Sequence, residues 1–295
     1  MCGIVGILGN HEASPILVDA LKRLEYRGYD SSGIATINDG VLERRREIGK
    51  LVNLADKLVH QPLKGKIGIG HTRWATHGSP TLANAHPQKT GKVAVVHNGI
   101  IENFKKLRDE LISNGANFQS ETDTETIAQL CMSFIDGGDD PKIAAKKTLA
   151  RLEGAYALCF LFHGYDNLLI AARKGSPLAI GHGNGEMFVG SDAIALAPMT
   201  NQVTYLEEGD WAVITRESLE IRDTNGTKIK RSKQTLDLNT QNVAKGNHKH
   251  FMAKEIAEQP SVLADAIQHN LNTSRDKIEI SDLELDFKNI NRITI

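Results

Sequence analysis

A cysteine stands second in this chain, between Met1 and Gly3. Methionine is usually removed when the next residue is small, and Cys2 would then carry a thiol and an α-amine together. A thiol nucleophile needs a base. An α-amine, which ordinarily titrates at about 7.7–8.0, is poised to take the proton of a thiol near 8.5. Acting directly or through a water, it replaces the histidine of a cysteine–histidine pair. Read alone, the dipeptide favours a small residue that merely comes second. The polar clusters farther along the chain reverse that reading. They recur at Tyr26-Arg27-Gly28-Tyr29-Asp30-Ser31, His71-Thr72-Arg73-Trp74, His97-Asn98-Gly99 and Glu121-Thr122-Asp123. The other cysteines lack such company. Cys131 falls on an apolar helix face and Cys159 within Ala157-Leu158-Cys159-Phe160-Leu161, so both are read as buried and inert.

The elements that must position these clusters follow from periodicity. The apolar run 1–8 reads as a buried strand ended by Gly9-Asn10. Ser14 as N-cap and Pro15 at the first helical position open a helix, with Leu17, Ala20, Leu21 and Leu24 at helical spacing. Residues 32–37 and 41–46 form a hairpin about Asn38-Asp39-Gly40, and Leu51, Leu54, Ala55 and Leu58 mark a second amphipathic helix. Strands at 67–71 and 93–97 run straight into the His71 and His97 clusters. Strand ends and the loops after them are where sites are commonly built. Helices are expected over 103–113, 124–136 and 141–152, then short, closely spaced strands from 155 to about 222. Such strands pair antiparallel. Two facing antiparallel sheets with helices outside would bury both apolar faces, which gives an α+β class and a layered sandwich. Gly181-His182-Gly183-Asn184-Gly185 lacks a phosphate-loop context and reads as a hairpin connection.

Composition narrows the class. The 295 residues are 40% hydrophobic, enough for a sizeable core. With 35 basic and 36 acidic residues and no long run of either sign, nucleic acid and anionic membrane are poor partners. Arg44-Arg45-Arg46 is read as a solvated strand or turn. There is no stretch of 18 apolar residues and no signal-type N-terminus. Three cysteines without a C-x-x-C argue against a disulfide framework and suit a reducing, cytoplasmic setting. No histidine or cysteine spacing suggests a metal, and no cofactor is expected.

The clusters together resemble the N-terminal-nucleophile (class II) glutamine amidotransferases. Cys2-Gly3-Ile4-Val5-Gly6 resembles the opening of that family, and its later motifs match in order: Tyr26 to Ser31, His71-Thr72-Arg73-Trp74-Ala75-Thr76-His77-Gly78, His97-Asn98-Gly99 and Glu121-Thr122-Asp123. The wording is nearer to the branch that aminates fructose 6-phosphate than to the branch that uses phosphoribosyl pyrophosphate. His250 to Ile256, followed by Glu258-Gln259-Pro260, is also similar to that branch's linker. The resemblance implies a four-layer αββα sandwich of the N-terminal-nucleophile hydrolase type. It implies that Cys2 attacks the side-chain amide of L-glutamine. The oxyanion would sit against the Asn98 side chain and the Gly99 N–H, where charge develops. Arg73 would hold the α-carboxylate, with Thr76 and His77 assisting, and Asp123 the α-ammonium. Trp74 lies in a loop that closes over substrate in the family, and Arg27 in one near the nucleophile. Plainer roles compete: Asp123 as the cap of a helix beginning at Thr124, Trp74 as a core aromatic, Asn98-Gly99 as a turn. His71 and His97 end strands and are read as structural.

The composition turns polar at 224–247. The expected organisation is a glutaminase domain over 1–223, a linker over 224–249, and over 250–295 the helical start of a truncated sugar-phosphate isomerase domain. Helices are expected at 250–259 and 261–271, and Ile290-Asn291-Arg292-Ile293-Thr294-Ile295 reads as a strand beginning, as in a piece of something longer. Fructose 6-phosphate would be reached only through the missing domain, in an enzyme expected to be a homodimer. Two alternatives stay open: another glutaminase of the same class, or a glutamine-binding module without turnover. The second is favoured if Met1 is retained, because the nitrogen of Cys2 is then an amide without basicity.

Overall fold

Six consecutive buried residues, Gly3–Leu8, form strand β1 and set Cys2 at its start. The computed structural model describes residues 2–236, 248 and 250–271. After β1 come α1 (Ala13–Lys22), β2 (Ser31–Asn38), β3 (Val41–Ile48), α2 (Leu51–His60), β4 (Ile67–Arg73), β5 (Gln88–Thr90) and β6 (Val93–Ile101). Helices α3 (Phe104–Ser113), α4 (Asp123–Asp136) and α5 (Pro141–Leu149) follow. Then come β7 (Gly154–Phe162), β8 (Leu169–Lys174), β9 (Ala179–His182), β10 (Met187–Gly190), α6 (Ala193–Leu196) and β11 (Gln202–Tyr205). The last strands are β12 (Trp211–Ile214), β13 (Leu219–Arg222), β14 (Lys228–Ile229) and β15 (Gln234–Thr235), before α7 (Phe251–His269).

The strands make an eight-stranded sheet, β15-β11-β9-β10-β1-β4-β2-β3, and a seven-stranded sheet, β14-β13-β12-β8-β7-β6-β5. Neighbours pair antiparallel around the site. Side chains alternate between faces of a strand, and the core divides accordingly. Ile4 and Leu8 of β1 meet Ala94 and Val96 of β6 and Cys159 of β7 in the layer between the sheets. Val5 and Ile7 face the other way, onto Leu17 and Leu21 of α1 and Leu54 of α2. Val93 and Val95 of β6 likewise turn outward onto Leu107 of α3 and Ile127 and Leu130 of α4. The result is the expected αββα sandwich, with Cys131 and Cys159 buried as read. Burial pushes the Cys131 thiol up to about 12, an inert state.

Glycine spacing in β4 lets α1 sit close. A Cβ on Gly70 would stand 3.1 Å from a Leu21 methyl, and one on Gly68 2.9 Å from a Leu17 methyl. Register then sets the site. β1 pairs Gly3 with Thr72 and Ile4 with His71, while β2 pairs Ser31 with Arg73. Cys2 therefore lies beside the end of β4.

Several local expectations change. Ser14 and Pro15 lie inside α1, whose N-cap is Glu12 without a side-chain cap bond. The backbone turns in two residues early because Ala13 N–H donates to Gly65 O, a tertiary bond no local signal reports. The run Arg44-Arg45-Arg46 is on β3, but it is more than a solvated face. Arg44 donates to Pro87 O (3.0 Å) and Arg46 to Ala83 O (3.0 Å) and Ala85 O (2.7 Å), fastening the segment that carries His86. Gly183–Glu186 closes the β9–β10 hairpin as read.

Beyond residue 223 the sheets continue instead of giving way to a linker. β14 pairs with β13, and β15 with β11. The chain divides by contacts into two units, Met1–Val243 and Ala244–Ile295. In the second, α7 is one helix with Pro260 inside it, where two were expected. A proline forfeits one helical hydrogen bond and crowds one carbonyl, and this helix runs on past that loss. The expected terminal strand at 290–295 lies outside the described residues.

Candidate active site

Cys2 is half-buried at the start of β1. Its Sγ accepts a hydrogen bond from Trp74 N–H at 3.2 Å and lies 3.5 Å from Trp74 O. Burial raises the thiol pKa, and the Trp74 N–H and nearby Arg73 offset that only in part. The protonated thiol is thus the resting form at neutral pH, and a base must take its proton before it attacks.

Asn98 reaches the same place from the facing sheet. Its Nδ2 donates to Cys2 O at 3.1 Å, and its Oδ1 accepts from His71 Nε2 at 2.9 Å. Gly99 follows at φ +130, and a Cβ there would stand 2.1 Å from Ala155 O on β7. Only glycine fits that backbone. Gly99→Ala is expected to prise β6 from β7 next to the nucleophile, lowering the melting temperature by several degrees for a cost of about 2 kcal/mol. A thermal melt checks this; an unshifted midpoint would contradict the close approach.

Arg73 ends β4 and is 3% exposed. It donates to the carbonyls of His77, Gly78 (3.1 Å) and Ser79 (3.4 Å), and Asp30 lies 4.0 Å away. The guanidinium carries five N–H groups, so after clamping its own loop it keeps two for a ligand. His77 packs edge-on against Phe104 at 5.5 Å, and Thr76 is exposed beside it. Asp123 is the first residue of α4 but does not cap it; Thr122 does, accepting from Glu125 N–H. The Asp123 carboxylate instead accepts from Ile101 N–H at 3.0 Å, tying the helix to the end of β6. Burial acts to raise its pKa, but His97, 3.7 Å away, and the Ile101 N–H outweigh this and hold it near about 2. Trp74 is 53% exposed, so it is not a core aromatic. Its ring covers Gly28, where a Cβ would stand 2.3 Å from a ring carbon. Arg27 bonds Cys2 O at 3.3 Å and Asp192 at 2.6 Å.

One cavity of about 420 Å³ gathers these groups. Cys2, Arg27, Arg73, Trp74, Thr76, His77, Asn98, Gly99 and Asp123 all line it, so the structure brings together every residue singled out from the sequence. It adds residues to which the sequence had assigned no site role. His86, Thr122, Thr124, Ser176 and Pro177 also line the wall. Asp192 stands behind Arg27 and accepts from Tyr26 OH at 2.7 Å. Neither Ser176-Pro177 nor Asp192 carried a local signal in the sequence. Among the described residues, no group of three or more His, Cys, Asp or Glu could hold a metal ion, and no helix is long and apolar enough to cross a membrane.

Residues 71–198 match the family of glutamine amidotransferase domains. Along its full length the chain is 55% identical to a glutamine–fructose-6-phosphate aminotransferase (isomerizing) of Mesorhizobium japonicum, of which it covers 49%. It is 54% identical to the enzyme of that name from Zymomonas mobilis, also covering 49%. The chain thus spans about half the length of the curated relatives it matches. Among solved structures it resembles a glutamine phosphoribosylpyrophosphate amidotransferase from B. subtilis (28% identity, TM-score 0.67, covering 77% of this chain and 50% of that one).

Proposed function

The chain belongs to the N-terminal-nucleophile glutamine amidotransferases, and from that membership we propose that it hydrolyses L-glutamine to glutamate and ammonia. The observation that carries the reading is the convergence of a cysteine, an amide donor, a guanidinium and a carboxylate on one 420 Å³ cavity. Removal of Met1 frees the α-amine of Cys2, which takes the thiol proton. The thiolate adds to the side-chain carbonyl carbon of glutamine. Negative charge moves to the carbonyl oxygen, opposite Asn98 Nδ2–H and Gly99 N–H. Collapse of the tetrahedral intermediate breaks the C–N bond, and ammonia leaves with the proton held by the amine. Water then attacks the thioester, releasing glutamate and the thiol. Arg73, with Thr76 and His77, receives the α-carboxylate, and Asp123 the α-ammonium. An amino acid is thereby fixed at both ends with its amide at Sγ, which is the entropic part of the catalysis. The Trp74 N–H meets the thiol sulfur, and Arg27 braces the Cys2 carbonyl.

In the longer protein we assign the ammonia to fructose 6-phosphate, giving glucosamine 6-phosphate in a region beyond this chain; the 54–55% identities support this branch. A linker and the start of that region follow the amidotransferase unit in this proposal. The purified chain is expected to release glutamate from L-glutamine without a sugar phosphate, with an intact mass lacking one methionine. A chain of that mass that binds glutamine and releases no glutamate would overturn the hydrolase reading in favour of a binding module.

A further inference from the structure

Three histidines lie buried at the cavity, His86 and His97 in its wall and His71 behind it, and the reaction above gives none of them a step. His71 is 0%, His86 4% and His97 4% exposed. Their contacts are specific. His71 Nε2 lies 3.0 Å from His97 O and 2.9 Å from Asn98 Oδ1. His86 stacks at a tilt against His71, ring centroids 4.5 Å apart, and its Nε2 meets Thr124 Oγ1 at 2.6 Å. His97 Nδ1 meets the same hydroxyl at 3.1 Å.

We propose that His71 is a positioning residue for catalysis, fixing through its Nε2–H which end of the Asn98 amide faces the nucleophile. The inference rests on the glutaminase reading above. A side-chain amide can present either its oxygen or its nitrogen to a site, and only the nitrogen stabilises an oxyanion. The two contacts of Asn98 settle its direction from both ends. Cys2 O can only accept, so the amide atom 3.1 Å from it is Nδ2. The carbonyl oxygen of His97 can only accept as well, so His71 Nε2 carries the proton, and the same N–H meets Asn98 Oδ1. During turnover Nδ2 must serve the developing oxyanion, which leaves Oδ1 as the end by which the amide can be held throughout. The anchor also spans the molecule. His71 lies on β4 of one sheet and Asn98 on β6 of the other, so this bond sets the gap across which the nucleophile and the oxyanion donor face each other. Burial, aided by neighbouring His97 and Arg73 and opposed by the Asn98 bond, drives the His71 pKa down to about 3. The ring therefore holds one proton, at Nε2, throughout the neutral range.

The test compares His71→Leu, His71→Gln and Asn98→Ala, singly and combined, by glutamine hydrolysis and by alkylation of Cys2 with iodoacetamide, which forms no oxyanion. His71→Leu is expected to lower kcat about 10- to 100-fold, less than complete loss of a donor, with KM within about threefold. Its alkylation rate should stay within about twofold of wild type. His71→Gln, which keeps a distal N–H, should recover most of kcat. In the Asn98→Ala background His71→Leu should add no more than about a further twofold, because residues that act as a unit are not additive. Equal losses in both backgrounds, an unchanged kcat, or alkylation slowed in step with kcat would overturn the proposal. Wild-type protein supplies a test that does not depend on variants folding. Imidazole 15N shifts of His71 should report a neutral ring with its proton at Nε2 from pH 6 to 9, and a proton at Nδ1, or titration in that range, would also overturn it. Wild type without glutaminase activity would instead sink the functional reading, while the ring-nitrogen result would still decide the role of His71.

Discussion

Cys2→Ala is expected to abolish glutamate release, lowering kcat by about 10⁴-fold or more, the scale seen when a covalent nucleophile is removed from a preorganised site. Glutamine should still bind, because the substitution leaves in place on the cavity wall the groups assigned to its α-carboxylate and α-ammonium, Arg73 and Asp123. Calorimetry on the variant would then give a dissociation constant near the wild-type value while turnover is lost. Wild-type chain made with methionine excision blocked should match Cys2→Ala in turnover. Its thiol is present, but the nitrogen of Cys2 is an amide that cannot accept a proton, and burial has already raised the thiol pKa. If the Met1-retaining chain is as fast as the processed one, the α-amine is not the base. If Cys2→Ala retains more than about one per cent of the activity, the thioester mechanism is wrong.

Arg73→Met should cost about 10²–10³ in kcat/KM, most of it in KM. Arg73 is 3% exposed, with three of its bonds spent on the carbonyls of His77, Gly78 and Ser79. Its replacement removes the charge facing the substrate carboxylate and loosens the loop holding Thr76 and His77. Truncating one side of a buried, hydrogen-bonded charge pair costs about 2–5 kcal/mol, or roughly 30- to 4,000-fold. Arg73→Lys keeps the charge but loses the planar fork, and should recover only part of the loss. A glutamine analogue lacking the α-carboxylate separates the two roles. It should be a poor substrate for wild type and no poorer for Arg73→Met, unless the loop has collapsed as well. A glutamine KM within about threefold of wild type in Arg73→Met would place the carboxylate elsewhere.

Much of this site was legible in the chain because its residues come in short polar clusters directly after apolar strands. Cys2-Gly3, Arg73-Trp74 and Asp123 each sit at an element's end, where a change of periodicity reveals them, while Asn98-Gly99 lie inside β6, which runs on to Ile101 instead of stopping at the expected residue 97 because its ladder with β7 continues. The layered fold was legible for the same reason: Ile4 with Leu8 and Val5 with Ile7 alternate as strand residues buried on both faces must. What misled were signals that are local and weak. Ser14-Pro15 has the chemistry of a helix start, yet the tertiary bond from Ala13 N–H to Gly65 O starts the helix earlier. The polar stretch after 223 reads as a linker, yet edge strands need few apolar residues because one side of their backbone is unpaired and much of their surface is wet. Pro260 suggests two helices where one forms.

The sequence by itself determined the inventory: a thiol that processing can pair with an amine, a guanidinium and a carboxylate for an amino acid's two charges, and the strands that carry them. It could not determine direction. That Asp123 ties down Ile101 N–H instead of capping its helix depends on where β6 ends against α4. That Asn98 turns its nitrogen toward Cys2 depends on His71, 27 residues earlier and in the other sheet, with its proton on the right nitrogen. Residue type and spacing fix what a group can donate or accept. Which partner it meets is fixed only when two sheets pack face to face and exclude the water that would otherwise satisfy every alternative.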